Sequence, residues 1–204
     1  MKRTVALATL PLAWSLSCGQ PSDQGAAPSG QVNLAGKRVL MIIANRNYRD
    51  EELDEPRAAL TAAGAKVVVA ATTVQPASGM LGGKATPDLA LSAVSVGDYD
   101  AVVFVGGSGA SVYWDDATAH GLAQEAAKQG KIVAAICIAP VTLANAGLLA
   151  GRKATVFRSE AGKIKAKGAN YTERGVERDG KIITADGPGS ARAFGQAIAQ
   201  SLAE

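Results

Sequence analysis

The chain has few of the residues from which most catalytic sites are assembled. Its 204 residues include one histidine, His120, and two cysteines, Cys18 and Cys137. Two cysteines in an oxidising compartment could form one disulfide, unless Cys18 is acylated or lies on a tether, and no metal is expected. Aromatic residues make up only 4% of the chain, which suits close helix–sheet packing through small contact residues. An excess of one charge is also missing. Lys2 and Arg3 contribute two of the net +3 charges, which leaves +1 for the rest of the chain. A nucleic-acid surface needs a clustered basic footprint, so no nucleic-acid partner is expected. The richest basic stretch, 152–167, has only Phe157 as an interleaved aromatic and reads as a solvated surface. The apolar run from Val5 to Leu16 is too short to span a membrane as a helix.

That run does fit an export signal. Lys2 and Arg3 form the charged region, residues 5–16 the apolar region, and Cys18 follows. Ser15-Leu16-Ser17 would suit an ordinary signal peptidase, whereas a cysteine directly after the cut resembles a bacterial lipoprotein acylated on Cys18. The lipoprotein reading is preferred because residues 19–30 (GQPSDQGAAPSG) are polar and rich in Gly, Pro and Ser, as a tether would be. The expected organisation is a signal over 1–17, a tether over 18–36 and a domain over 37–204. The expected location is periplasmic, with a lipid on Cys18 holding the protein to a bacterial membrane. Cys137 is then left without an obvious partner.

From Lys37 the pattern is orderly. Residues 38–44 (RVLMIIA), 66–71 (KVVVAA), 99–105 (YDAVVFV) and 131–136 read as buried strands. Helices are predicted over 53–63, with Pro56 in the first turn and Gly64 as the stop, and over 115–129, 139–146 and 190–203. Residues 75–88 are rich in turn signals, with Gly82-Gly83 as a hairpin. Residues 153–157, 176–178 and 181–185 read as short strands. Strands alternating with helices predict a mostly parallel sheet covered on both faces, with its site beyond the carboxyl ends of the strands.

The segment 132–140 (IVAAICIAP) delivers Cys137 at the junction between a strand and a helix, with Ala135 and Ala139 two residues to either side. Small residues at those positions are what a nucleophile elbow needs, because the turn forces backbones together. A thiol at a helix N-terminus is expected to be drawn toward thiolate. Gly106-Gly107-Ser108-Gly109 has neither the GxGxxG nor the GxxxxGK[ST] spacing of a nucleotide loop, and no cofactor is expected. Its glycines would let backbone approach Cys137, so N–H groups of Gly107 or Ser108, together with that of Ile138, can form an oxyanion hole. Glu52 lies in the acidic run 50–55, four residues before Pro56, on the turn that can face this site.

In order along the chain stand 48–56 (YRDEELDEP), 106–110 (GGSGA), 134–140 (AAICIAP), 146–155 (AGLLAGRKAT) and 183–188 (ITADGP). Together these motifs resemble the ThiJ/PfpI family of the class I glutamine amidotransferase-like superfamily, from about Lys37 to the C-terminus. The resemblance implies a flavodoxin-like three-layer α/β/α sandwich, a homodimer, an elbow cysteine at Cys137 and a buried, hydrogen-bonding glutamate at Glu52. Family activities include peptidase, glyoxalase, deglycase, chaperone and oxidation-sensor roles. Peptidase-like members have a histidine directly after the cysteine, where this chain has Ile138, and draw on a glutamate near the glycine loop, where this chain has Ser111. His120 falls in the preceding helix. Peptidase and amidotransferase chemistry are therefore disfavoured. The expected function is addition of Cys137 to a small reactive carbonyl, with Glu52 moving protons. A redox-sensing or chaperone-like module is the alternative. Arg158, Ser159 and Glu160 are candidates for a substitute group.

Overall fold

The computed structural model describes residues 1, 2, 4 and 32–204. Cys18, nearly all of the expected signal and most of the expected tether lie outside the described residues. The elements are β1 (Arg38–Ile42), β2 (Arg46–Tyr48), α1 (Asp50–Ala62), β3 (Lys66–Ala71), β4 (Ala77–Gly79), β5 (Lys84–Ala85), β6 (Leu89–Ala90) and β7 (Ala101–Phe104). They continue with α2 (Ala117–Lys128), β8 (Ile132–Ile136), α3 (Pro140–Asn145), β9 (Lys153–Ala154), α4 (Ala161–Ala166), β10 (Asn170–Tyr171), β11 (Val176–Asp179), β12 (Ile182–Ala185) and α5 (Ala191–Ala203).

Seven strands form the central sheet in the order β11-β12-β8-β7-β1-β3-β6. All neighbours are parallel except the pair β11–β12. Strands covered on both faces have no polar side to alternate with, which is why they read as continuous apolar runs. Val39, Met41 and Ile43 point to one face, where they pack with Leu53 and Leu60 of α1 and Phe194, Ile198 and Leu202 of α5. Leu40, Ile42 and Ala44 point to the other face, toward Ala119, Ala123 and Ala126 of α2 and Leu143 of α3. Small residues let these layers approach. A Cβ added at Gly195 of α5 would lie 2.7 Å from the Pro56 Cα of α1. The result is the flavodoxin-like three-layer α/β/α architecture.

The chain runs from β1 outward to β3, then crosses back to β7, β8 and β12 on the other side. The strand order therefore reverses between β1 and β7. In such sheets the crevice at that reversal, beyond the carboxyl ends of the strands, receives ligands. The residues after β1, β7 and β8 all arrive there.

Several boundaries differ from the sequence reading. The first helix begins at Asp50 rather than Leu53, so Pro56 is an interior residue and not part of the first turn. Its ring faces Gly195, and the Asp50 carboxylate accepts N–H groups from Leu81 (2.8 Å) and Gly83 (2.7 Å) of the β4–β5 hairpin. Tertiary contacts thus extend the helix to an earlier start. The strand expected over 153–157 stops at Ala154, because the Thr155 N–H turns to Thr184 Oγ1 (2.9 Å) and the Phe157 N–H to the Cys137 carbonyl (2.8 Å). Leu34, expected in the tether, is fully buried, and its N–H donates to the Ala63 carbonyl at 2.7 Å. Among the described residues no helix is long and apolar enough to cross a membrane.

Candidate active site

Cys137 follows β8 directly and has φ +63°. A non-glycine residue in this left-handed region is strained, and strain of this kind persists only where the surroundings fix it. Two backbone hydrogen bonds do so. The Cys137 N–H donates to the Ala185 carbonyl (2.9 Å), and the Phe157 N–H donates to the Cys137 carbonyl (2.8 Å). The flanking Ala135 and Ala139 are buried, as the elbow requires.

Glu52, in the first turn of α1, is fully buried. Gly106 lies between it and the cysteine. A Cβ added at Gly106 would meet the Glu52 carboxylate and lie 2.5 Å from Cys137 Cβ and 2.7 Å from the Ile136 carbonyl oxygen. Only glycine leaves room for both functional groups. The other loop glycines serve a different contact. Gly107 has φ +96°, and a Cβ there would lie 2.6 Å from the Tyr48 carbonyl carbon, while one at Gly109 would strike the Arg46 carbonyl. These two let the loop pack against the 46–49 segment, so the expectation that all the glycines serve approach to the cysteine holds for Gly106.

Neither Glu52 oxygen has a partner at full hydrogen-bond geometry. Burial raises the Glu52 pKa to about 7, against the opposing pull of the nearby Cys137 thiol and the Arg49 charge. A carboxyl with that value exchanges its proton at neutral pH. The Cys137 thiol is pushed up to about 12, first by burial and then by the charge of Glu52. The N–H groups of Gly107 and Ile138 face the sulfur and pull the other way without prevailing. The expected drift toward thiolate is therefore not met at rest. Cys137 is only 8% exposed, and α3, which begins three residues later, has just six residues with which to build a dipole.

The structure brings Cys137, Glu52, Gly107 and Ile138 together and leaves Ser108 out. The Ser108 N–H points to the Met80 sulfur at 3.4 Å, across from the hairpin. His120 is also outside the site, with its Nε2 on the Trp114 carbonyl at 2.8 Å. Ser111 Oγ donates to the Ser108 carbonyl (3.0 Å), and Ser159 Oγ donates to Glu160, which pairs with Lys163. Ser159 and Glu160 are thus engaged with each other and with Lys163. Arg158 lines a separate cavity of about 260 Å³ with Thr155, Phe157, Tyr171, Glu173 and Asp186. Sequence reasoning missed Arg49, whose charge lowers the Glu52 pKa. A cation directly before an acidic run was the available signal for it. Among the described residues no group of three or more His, Cys, Asp or Glu side chains could hold a metal ion.

The chain matches the DJ-1/PfpI family over residues 37–201. It is 40% identical to an uncharacterized protein of Methanocaldococcus jannaschii, over 99% of this chain and 98% of that protein. Among solved structures, a ThiJ/PfpI domain protein from Brachyspira murdochii superimposes with a TM-score of 0.80 at 36% identity, covering 82% of this chain and 98% of that one. A glutathione-independent glyoxalase of Caenorhabditis elegans is 27% identical over 82% of this chain and 90% of its own length. The chain belongs to the DJ-1/PfpI family.

Proposed function

We propose that this member of the DJ-1/PfpI family acts on small α-oxoaldehydes through a Cys137–Glu52 pair, converting them to hydroxy acids. The observation that carries the reading is the buried Glu52 carboxyl beside the Cys137 thiol, with the N–H groups of Gly107 and Ile138 directed at the sulfur. A neutral thiol needs a base at the moment of attack, and a carboxylate with a pKa of about 7 is available to supply one. As Sγ bonds to the aldehyde carbon, Glu52 takes the thiol proton, and the oxyanion is held by the two N–H groups. Glu52 then returns the proton to that oxygen, giving a hemithioacetal. The carboxylate next removes the hydrogen of the former aldehyde carbon as a proton and delivers it to the neighbouring carbon, while the hydroxyl proton of the hemithioacetal passes to the neighbouring oxygen, leaving an α-hydroxy thioester. Water cleaves the thioester, and the thiol recovers its proton. One water is consumed overall, and the oxidation of one carbon balances the reduction of its neighbour, so no external oxidant is needed. The name of the Caenorhabditis elegans relative supports this direction.

The absence of an imidazole beside Cys137 argues against acyl transfer to peptides. A redox sensor would call for an exposed thiolate, whereas this thiol is buried and its pKa is raised. The test is methylglyoxal consumption with lactate as product. Turnover that survives Cys137→Ser would overturn the reading.

On sequence grounds we also propose that the domain is exported, held to the membrane by a lipid on Cys18, and paired as a homodimer. Release of the protein from the membrane fraction by Cys18→Ala is the expected result. Sedimentation at the mass of one chain would remove the dimer.

A further inference from the structure

The two N–H groups that face Cys137 come from different segments. Gly107 follows β7 and Ile138 follows β8. One side chain ties the two segments together. Trp114 ends the 3₁₀ turn Ser108–Tyr113 that follows Gly107, and its indole N–H donates to the Ile138 carbonyl at 3.1 Å. The backbone that carries this indole is itself held. The Trp114 carbonyl accepts from His120 Nε2 of α2 (2.8 Å) and from Asn145 Nδ2 of α3 (2.8 Å). Because a carbonyl only accepts, His120 must carry its proton on Nε2. The Lys163 ammonium of α4 lies over the indole, 4.8 Å from the ring centroid. Four segments therefore converge on one tryptophan that does not touch the sulfur.

We infer that Trp114 is a positioning residue for the oxyanion hole. By holding the Ile138 carbonyl it restrains the turn directly after the elbow, and so fixes the Ile138 N–H in register with the Gly107 N–H. Preorganised donors stabilise a developing oxyanion because they need no reorganisation as charge forms. A displacement of about 1 Å at such a group can cost on the order of a hundredfold in rate. The network also gives the single histidine of the chain a role, which is to hold Trp114 rather than to move protons. The inference rests on the carbonyl-addition reading for its effect on turnover, and on the geometry alone for its effect on the thiol.

Trp114→Phe keeps a six-membered aromatic ring and removes the pyrrole ring with its N–H, while the Ile138 carbonyl retains the Val141 N–H at 3.2 Å. The fold should therefore survive. In the full-length protein the expected result is about a tenfold fall in kcat for methylglyoxal with KM unchanged, the pattern of an interaction made in the transition state. The rate of Cys137 alkylation by iodoacetamide at pH 8 should also fall about tenfold, because the sulfur loses a donor that lowers its pKa. His120→Ala, which releases one of the two holds on the Trp114 carbonyl, should lower both quantities about threefold. A folded Trp114→Phe with wild-type kcat and alkylation rate overturns the inference. If that variant does not fold, an unchanged alkylation rate in His120→Ala overturns it instead. If the wild-type protein does not consume methylglyoxal, the functional reading fails, and the alkylation rates still decide the role of Trp114.

Discussion

The two ends of the central sheet hold charge in different surroundings, partly exposed at one end and fully buried at the other. At the amino ends of the strands, Asp100 accepts the Arg38 N–H at 2.8 Å and pairs with Lys37 at 3.5 Å. Lys131 there donates to the carbonyls of Gly97 and Tyr99, and Arg178 pairs with Glu204. These ion pairs are partly exposed, and the Arg38 guanidinium, whose buried Nε has no hydrogen-bond partner, lies over the Tyr99 ring. At the carboxyl ends, Glu52 is fully buried with no well-formed hydrogen bond, and Cys137 holds a left-handed backbone beside it. Unsatisfied buried groups and strained residues cost stability, and an ionisable group of that kind beside a strained cysteine marks a candidate site. The contrast separates an end built from exposed ion pairs from the end that holds the candidate site.

The sharpest way to break that contrast is Cys137→Ser, for which carbonyl turnover should fall by about a thousandfold or more while the fold persists. Comparable Tm values with retained turnover would place the reaction elsewhere. Gly106→Ala should destabilise by about 3 kcal/mol, since its Cβ has to displace the Glu52 carboxylate, Cys137 Cβ and the Ile136 carbonyl together. Denaturant midpoints check this, and an unchanged midpoint would mean that the site is loosely packed.

Glu52→Gln should divide two quantities that usually move together. Turnover should fall about a hundredfold with the loss of the base. Alkylation of Cys137 at pH 8 should become faster, because the charge that raises the thiol pKa is gone. The same group governs stability against pH. Its folded pKa of about 7 lies above the unfolded value, so the folded state binds the proton more tightly. The cost is absent below about pH 4, where both states are protonated, grows as the unfolded carboxyl ionises, and is complete above about pH 7. Its contribution to the loss of stability between those limits is about 3 kcal/mol. Thermal unfolding from pH 4 to 8 should show the slope in the wild type and a reduced slope in Glu52→Gln. Equal slopes would mean that water reaches the carboxylate. The smallest effect is expected at the other end of the sheet. Lys37→Ala should change stability by no more than about 0.5 kcal/mol, because the pair with Asp100 is partly exposed, and should leave Cys137 alkylation unchanged. A larger change in alkylation would show that the two ends are coupled.

Most of the architecture was legible along the chain. The strands at 66–71 and 131–136, the hairpin at Gly82-Gly83 and the helix stop at Gly64 follow from local apolar runs and turn residues. The start of α1 did not, because Asp50 is drawn into the helix by the N–H groups of a hairpin some thirty residues away. Choosing between Gly107 and Ser108 as oxyanion donor was likewise beyond local reading. The Ser108 N–H is taken by Met80, which only the folded hairpin brings near. Trp114 carries no local signal at all, since its partner Ile138 lies on another strand's exit.

The sequence by itself determined the layered α/β sandwich, the position of Cys137 at the end of a strand and the need for small residues around it, because periodicity and steric size act over a few residues. Tertiary structure decided the protonation of the site. The pKa values of Cys137 and Glu52 depend on how much water is excluded and which charges are brought close, and those quantities arise only when α1, the glycine loop and the elbow meet at the carboxyl ends of the strands.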